Sequence, residues 1–404
     1  MQQLAGAKAF VNSGYTSGNV TATTVQTLAT NEAISAAQES KVRGALVQAA
    51  ELDITFPQLT QNNPVISVVF TRSGISSFFA KTFGVRTTSV KATAQAEAYN
   101  PSGSTTATPV QVAGVKPWVL PNCDPTGNST ATNPNCTGGT FAYFVDPTTG
   151  SIENGGSFIG ASILLQTPVG AGPATVSVAS ASPPTPPTMM FYPVDIPENP
   201  PTPFCPGTAN GNRGIYRDAI QCFNPAAFSC GQLVNDTAPS DAIIDSRITG
   251  GSLKSRTDSA TQLLVHQTSG FSTAPPADCG GGPYEQDCFV VNGPGNPVLI
   301  TPGSHNPDGS LVAAQYISRS DSVITVPLFD GRNLCGLGGG NPCAASGGNS
   351  APIVGFLQLG VQASVSSGNV QAVILNASGC NSTPTGTPSG GDVSPIPVRL
   401  IQAP

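Results

Sequence analysis

His266 and His305 are the only two imidazoles in the 404 residues, so any Ser-His-Asp or Cys-His device must be built on one of them. His266 sits in the apolar run LLVHQTS, which reads as a strand where the ring packs or faces solvent; His305 falls in the turn SHNPDG. The chain holds no G-x-S-x-G elbow, and no G-x-x-x-x-G-K-[ST] or G-x-G-x-x-G signature precedes a helix. Trp118 and the pair Phe191, Tyr192 have the rings to stack on sugars, but core packing beside prolines is the expected role. The acidic turns DPTTGS (Asp146 to Ser151) and NPDG (Asn306 to Gly309) could offer oxygens to calcium. Neither has the twelve-residue spacing of a calcium loop, and Asp and Asn are ordinary turn formers.

Ten cysteines carry more information. None forms a C-x-x-C, so zinc-ribbon and thioredoxin readings fail. Close spacing suggests local pairs: Cys123 with Cys136, Cys222 with Cys230, Cys279 with Cys288 and Cys335 with Cys343, leaving Cys205 and Cys380. A link from Cys205 to Cys222 or Cys230 stays open as an alternative. Disulfides imply an oxidising compartment. Six N-x-[ST] sequons begin at Asn19, Asn128, Asn135, Asn235, Asn376 and Asn381, and chance supplies several in a chain rich in Asn, Ser and Thr.

Composition sets the frame for these residues. Charged residues are 9% of the chain, against roughly 25% in an average soluble domain, while 45 Gly and 38 Pro favour short strands joined by tight turns. The hydrophobic 39% falls in strand-spaced runs that need a buried face, which argues against disorder. A net charge of −6 with sixteen Lys and Arg leaves little for nucleic-acid binding. No apolar run approaches the ~20 residues of a membrane span, and no signal peptide opens the chain, so an exported protein would have lost its N-terminal targeting segment.

Residues 1–100 differ from the rest. They hold no Cys and two Ala-rich stretches that read as helices, Gln2 to Val11 and Thr23 to Ala37. Leu46 to Phe56 and PVISVVFT (Pro64 to Thr71) read as strands. Ser73 reads as an N-cap for a helix from Ile75 to Phe83, with Phe79 and Phe83 packed on the core face and Gly84 ending it. Val90 to Ala98 alternates as a half-buried strand. Residues 101–404 form a β-rich region, divided into two subdomains, if at all, near the stiff Pro-rich connector 183–204. KPWVLP, YPVDIP and VITVPLFDG, at Lys116, Tyr192 and Val323, read as edge strands because Pro interrupts pairing. Pro352 to Val365 and Val370 to Leu375 predict a hairpin, and Val398 to Ile401 a last strand.

Several segments together resemble the TadG/TadE-like proteins of the Tad (tight adherence, Flp-type) pilus-assembly system. They are QLAGAKAF from Gln3, Val65 to Phe70, SFFAKTFG from Ser77 and Val90 to Ala98, followed distally by VITVPLFDG, VGFLQL, VILNASGC and PVRLI. The resemblance implies a protein of the bacterial cell envelope, on its periplasmic or extracellular face and anchored in the inner membrane by an N-terminal helix not found in this sequence. The metal-binding D-x-S-x-S of larger members is not carried over, because Asp245 and Asp321 are followed by the wrong residues.

The expectation is therefore an α+β N-terminal layer followed by a mainly β, disulfide-stapled, sandwich-like region. Its expected role is a non-catalytic structural or assembly component without cofactor. Pilins, other envelope assembly proteins or further copies of the chain would be its partners, with membrane contact only through the anchoring helix. A secreted adhesin or carbohydrate-binding protein is the rival reading.

Overall fold

The computed structural model describes residues 2–18, 20–76, 79–102, 110–126, 142–166, 176–177, 180–181, 184–195, 215–223, 227–235, 243–244, 251–267, 275, 278–280, 282–293, 295–308, 315–330, 350–365, 367–380, 389–390 and 394–401. Most of the regular structure is β, with a helical pair at the N-terminus.

Two helices, α1 (Gln2–Asn12) and α2 (Ala22–Gln38), match the Ala-rich stretches. α2 buries Val25, Leu28, Ala29, Ala33 and Ala37, the three- and four-residue spacing of one helical face. Gly6 brings α1 against it: a Cβ there would stand 2.6 Å from Ile66 Cδ1 and 2.9 Å from the Ala29 carbonyl oxygen. The helices lie on a sheet of β3 (Leu52–Thr60), β4 (Asn63–Ser76) and β5 (Thr87–Ala98), completed by Val398–Ile401 on the far side of β5. The first layer thus draws on both ends of the chain. Phe10 sits edge-on to Phe56, and Ala96 and Ala98 are the small side chains that let the helices approach.

A ten-stranded sheet dominates the remainder. Its centre is β6 (Trp118–Pro121), β8 (Tyr192–Asp195), β9 (Val323–Phe329) and the long hairpin of β10 (Ser350–Val365) and β11 (Asn369–Gly379), with β7 (Ser162–Gln166) beyond β11. Strand Leu233–Asn235 pairs both with Ile243–Ile244, which pairs with β8, and with β10, so one half of the sheet curls into a six-stranded ring. Val119, Tyr192, Phe329, Ile353 and Phe356 form one core, and Trp118, Leu120, Phe191 and Leu357 alternate onto the other face. Strands before and after the Pro-rich segment 183–204, among them β7 and β9, share this sheet, and Thr188–Met190 and β8 within the segment pair into it.

Three expectations fail here for visible reasons. The proline-containing strands are neighbours in the buried sheet and not its edges, with Pro193 opposite Trp118 and Phe329 opposite Pro121. Pro121 ends its strand, and Pro327 lies just before the register shift at Leu328/Phe329, positions where a missing N–H costs little. The run around His266 is the end of a helix, α4 (Gly251–Leu264), which packs with α3 (Ile215–Gln221) against the second core face. Leu253, Thr257, Ala260, Thr261 and Leu264 carry the helical period, masked in sequence by Ser and Thr.

The third failure is the helix at Ile75–Phe83. β4 runs through Ser76, pairing Ile75 with Thr88 and Ser76 with Thr87, and only the short 3-10 turn Ala80–Phe83 follows. A bulge after Arg72 contains Gly74 at φ 72°. Gly84, at φ 86°, does follow that turn. Beyond Thr71 and Thr93 the strands leave the core, so only the last part of β5 is buried.

The two layers meet along a buried polar seam. Asn100 Nδ2 donates to Thr16 O (3.0 Å), Ser17 Oγ (2.8 Å) and Ala377 O (3.0 Å). Asn376, fully buried, donates to Val11 O, so its sequon is internal to the fold. Gln358 reaches Asn12 Oδ1, and Ser318 N reaches Glu32 Oε1.

Candidate functional site

β4 and β5 continue as a two-stranded arm for about six residues past the core, roughly 20 Å at the rise of a strand. Beside its base stands a tight hairpin, β1 (Lys41–Val42) and β2 (Ala45–Leu46), turned by Arg43 at φ 52° and Gly44 at φ 81°. Arg72 clasps the two together. Its guanidinium binds Glu51 through both carboxylate oxygens at 2.6 and 2.7 Å and donates to the carbonyls of Val42 (2.8 Å) and Leu46 (2.8 Å). These contacts hold the Glu51 carboxyl down at about 2, with the Arg72 hydrogen bonds the largest cause and the Gln48 N–H next. Arg43 adds a bond from Nη1 to Ser76 O at 2.6 Å.

The arm ends in apolar side chains facing water. Phe79 is 81% exposed and Phe83 86%, Val85 beside them is about half exposed, and at the base Val90 and the hairpin's Leu46 are about half exposed too. Core packing was the expectation for both phenylalanines. It fails because the register of β4 and β5 carries the segment past the end of the core.

A second feature is a cleft of about 600 Å³ lined among others by Asp278, Tyr284, Gly303, Asn306, Asp308 and Tyr316. The Cys279–Cys288 disulfide forms part of its wall. The buried Asp287 carboxylate organises it, accepting from Gly303 N (2.8 Å), Asn306 Nδ2 (3.0 Å) and Ser320 Oγ (2.5 Å). Tyr284 OH donates to Gly280 O at 2.5 Å, Asp308 pairs with Arg319 at 2.6 Å, and Tyr316 is about half exposed. Two rings with carboxylates and a carboxamide suit a hydroxyl-rich ligand.

The residues singled out in the sequence are scattered. Cys279 pairs with Cys288 as expected, whereas Cys230 pairs with Cys380 and not with Cys222. Sequence spacing misled because the end of β11 returns Cys380 beside Cys230, Cα to Cα 5.5 Å. Cys123 and Cys222 are also disulfide-bonded. Cys136, Cys205, Cys335 and Cys343 lie outside the described residues, as do the sequons at Asn19, Asn128, Asn135 and Asn381. Trp118, Phe191 and Tyr192 are core residues, and the Trp118 indole donates to Tyr216 OH at 3.0 Å.

His266, at φ 57°, follows the C-terminus of α4, where its Nε2 lies 3.5 Å from Asp321 Oδ2 and its carbonyl 3.2 Å from His305 Nδ1. The histidines therefore adjoin, and the hydrogen bond between them ends on a backbone carbonyl and not on a nucleophile. Hydrogen bonding with His266 leads the causes that lower the Asp321 carboxyl's pKa. Lys116, buried, donates to Cys222 O at 3.0 Å, and burial drops its ammonium to about 8 despite the attraction of Asp321. Asp146 accepts from Thr148 N and Thr149 N at 2.6 and 2.9 Å, so it shapes its own turn. Among the described residues no three His, Cys, Asp or Glu gather to hold a metal, and no helix is long and apolar enough to cross a membrane.

Sequence reading missed the arm and the cleft. The arm's only signal was an aromatic cluster next to a β-branched run; the cleft is assembled within residues 278–316, from turns that carry no recognisable motif and meet around the pairing of Cys288–Val290 with Leu299–Thr301. No family model, curated protein or solved structure matches this chain.

Proposed function

We propose that the chain is a non-catalytic structural or assembly component of a bacterial Tad/Flp-type pilus or a related envelope structure, working on the periplasmic or extracellular face. The arm carries this reading. Folding leaves Phe79 and Phe83 in water at the end of a rigidly clasped β-ribbon, an arrangement that gains free energy only when something covers it. Disulfides such as Cys230–Cys380 suit an oxidising compartment, and the segment SFFAKTFG, at the end of the arm, is one of those that resemble TadG/TadE-like proteins. Pilins, other assembly proteins or further copies would be the partners.

Filament assembly in a strain carrying only the Phe79→Ser/Phe83→Ser chain is the test. Surface filaments should be lost while the variant accumulates to normal levels, and normal filaments would remove the proposal. The cleft favours a second reading, a carbohydrate-binding surface protein. There, saturable binding to a glycan panel should disappear in Tyr316→Ala with the fold intact.

A further inference from the structure

The exposed arm is cationic as well as apolar. Between Asp53 and Glu97 the sequence contains Arg72, Lys81, Arg86 and Lys91 and not one Asp or Glu, although the whole chain carries a net charge of −6. Arg72 is spent on Glu51, but Arg86 and Lys91 are exposed on the arm, and Lys41 and Arg43 are exposed on the hairpin clasped to its base.

These groups share one end of the first layer. α2 starts where Thr21 N meets Gly295 O and Gln61 meets Val20 O, at the β3–β4 turn, and runs toward the β1–β2 hairpin that Arg72 holds. α1 packs against α2 through Gly6 at Ala29 and Ala33 and finishes at the seam, where Asn12 bonds to Gln358 and Ser318. The seam and large sheet thus occupy the opposite end, and the arm tip is unobstructed by them.

We propose that this end is a membrane-surface contact, in which Phe79 and Phe83 enter the headgroup region of a bilayer while Lys41, Arg43, Arg86 and Lys91 face its anionic lipids. Phenyl rings are favourable at the boundary of headgroup and acyl chain, and cationic side chains near them are drawn to a negative leaflet. A protein partner burying the same tip would need acidic groups to match it; an anionic bilayer presents both requirements in one surface. The proposal rests on the reading of the arm as a contact element and names what it contacts.

The test is flotation of the full, disulfide-bonded chain with vesicles of phosphatidylcholine alone or with 30% phosphatidylglycerol. Binding to the anionic vesicles should exceed that to the neutral ones at least tenfold and weaken with added salt. It should fall at least tenfold in Phe79→Ser/Phe83→Ser and in Arg86→Glu/Lys91→Glu, whose sites are exposed and whose thermal unfolding should be unchanged. Equal binding to both vesicles, no binding by the wild-type chain, or variants that bind as well as it does would each overturn the proposal. So would concentration-dependent dimerisation abolished by the phenylalanine changes in a chain that ignores vesicles, which would assign the tip to a second copy. Lost filaments without vesicle binding would leave the assembly reading standing and remove the lipid. Vesicle binding with normal filaments would do the reverse.

Discussion

At the scale of single residues, Lys116 is a charged side chain placed where its charge is disfavoured. Its ammonium is enclosed beside a carbonyl, with Asp321 as the nearby counter-charge, and burial lowers its pKa from 10.5 to about 8. Between those values the unfolded chain holds a proton that the folded chain has shed, so stability rises with pH across the window and the full cost is borne below it. At about 1.4 kcal/mol per unit, the gain is on the order of 3 kcal/mol at most. Tyr216 shifts upward because it is buried, which opposes this only above pH 10. Urea unfolding at pH 7.5 and 9.5 should therefore show greater stability at the higher pH. Lys116→Met should flatten that dependence and match or exceed the wild type at pH 7.5, since replacing a buried charge by an apolar side chain of similar length is often neutral or stabilising. A steeper loss in Lys116→Met at both pH values would show that the bond to Cys222 O outweighs the burial cost.

Among elements, the arm depends on the Arg72–Glu51 clasp more than on its own pairing, since an isolated two-stranded ribbon is marginal in water. Glu51 has its carboxyl pKa lowered to about 2, so its contribution is complete above the ordinary value near 4.5 and disappears as pH falls through about 2. Amide protection relative to the unfolded chain in Lys41–Leu46 should hold from pH 7 to 4.5 and fall below, and Glu51→Gln should bring the lower protection to neutral pH. Ile66 and Val68, in the buried half of β4, should keep their protection throughout. Arg72→Lys should not rescue the hairpin, because one ammonium cannot hold two carboxylate oxygens and two carbonyls in the same plane. This element also marks where sequence reading stopped. Phe79 and Phe83 lie four apart and Gly84 follows, a local pattern that fits a helix; the pairing of Ile75 with Thr88 that overrides it is not local. The N-terminal helices and the β10–β11 hairpin were legible because their hydrophobic periods are long and end in Gly or polar turns. The cleft was not, because Tyr284 and Tyr316 line it together only in the folded chain and no local motif marks either.

For the whole molecule, the question is what keeps a sheet with so many short strands in one register. Part of the answer is the seam, where Asn100 and Asn376 satisfy carbonyls from both layers. The other part is covalent. Cys230, just after Phe228–Ser229, is joined to Cys380 at the end of β11 across 150 residues of sequence, in the core that also holds Phe329 and Phe356. Cys279–Cys288 spans only 9 residues and supports one wall of the cleft. Loop-closure entropy grows with the logarithm of loop length, so the long bridge should stabilise the fold by roughly 5 kcal/mol and the short one by roughly 2.5 kcal/mol. Cys230→Ser/Cys380→Ser should accordingly lower the urea midpoint more than Cys279→Ser/Cys288→Ser. The two should also differ in kind: the first loosens the ring as a whole, whereas the second raises amide exchange only around the cleft. If the short bridge proved the more costly, the cleft loops would be nucleating the distal sheet, and stability would reside in the hairpin Cys288–Val290 and Leu299–Thr301 rather than in closure of the ring.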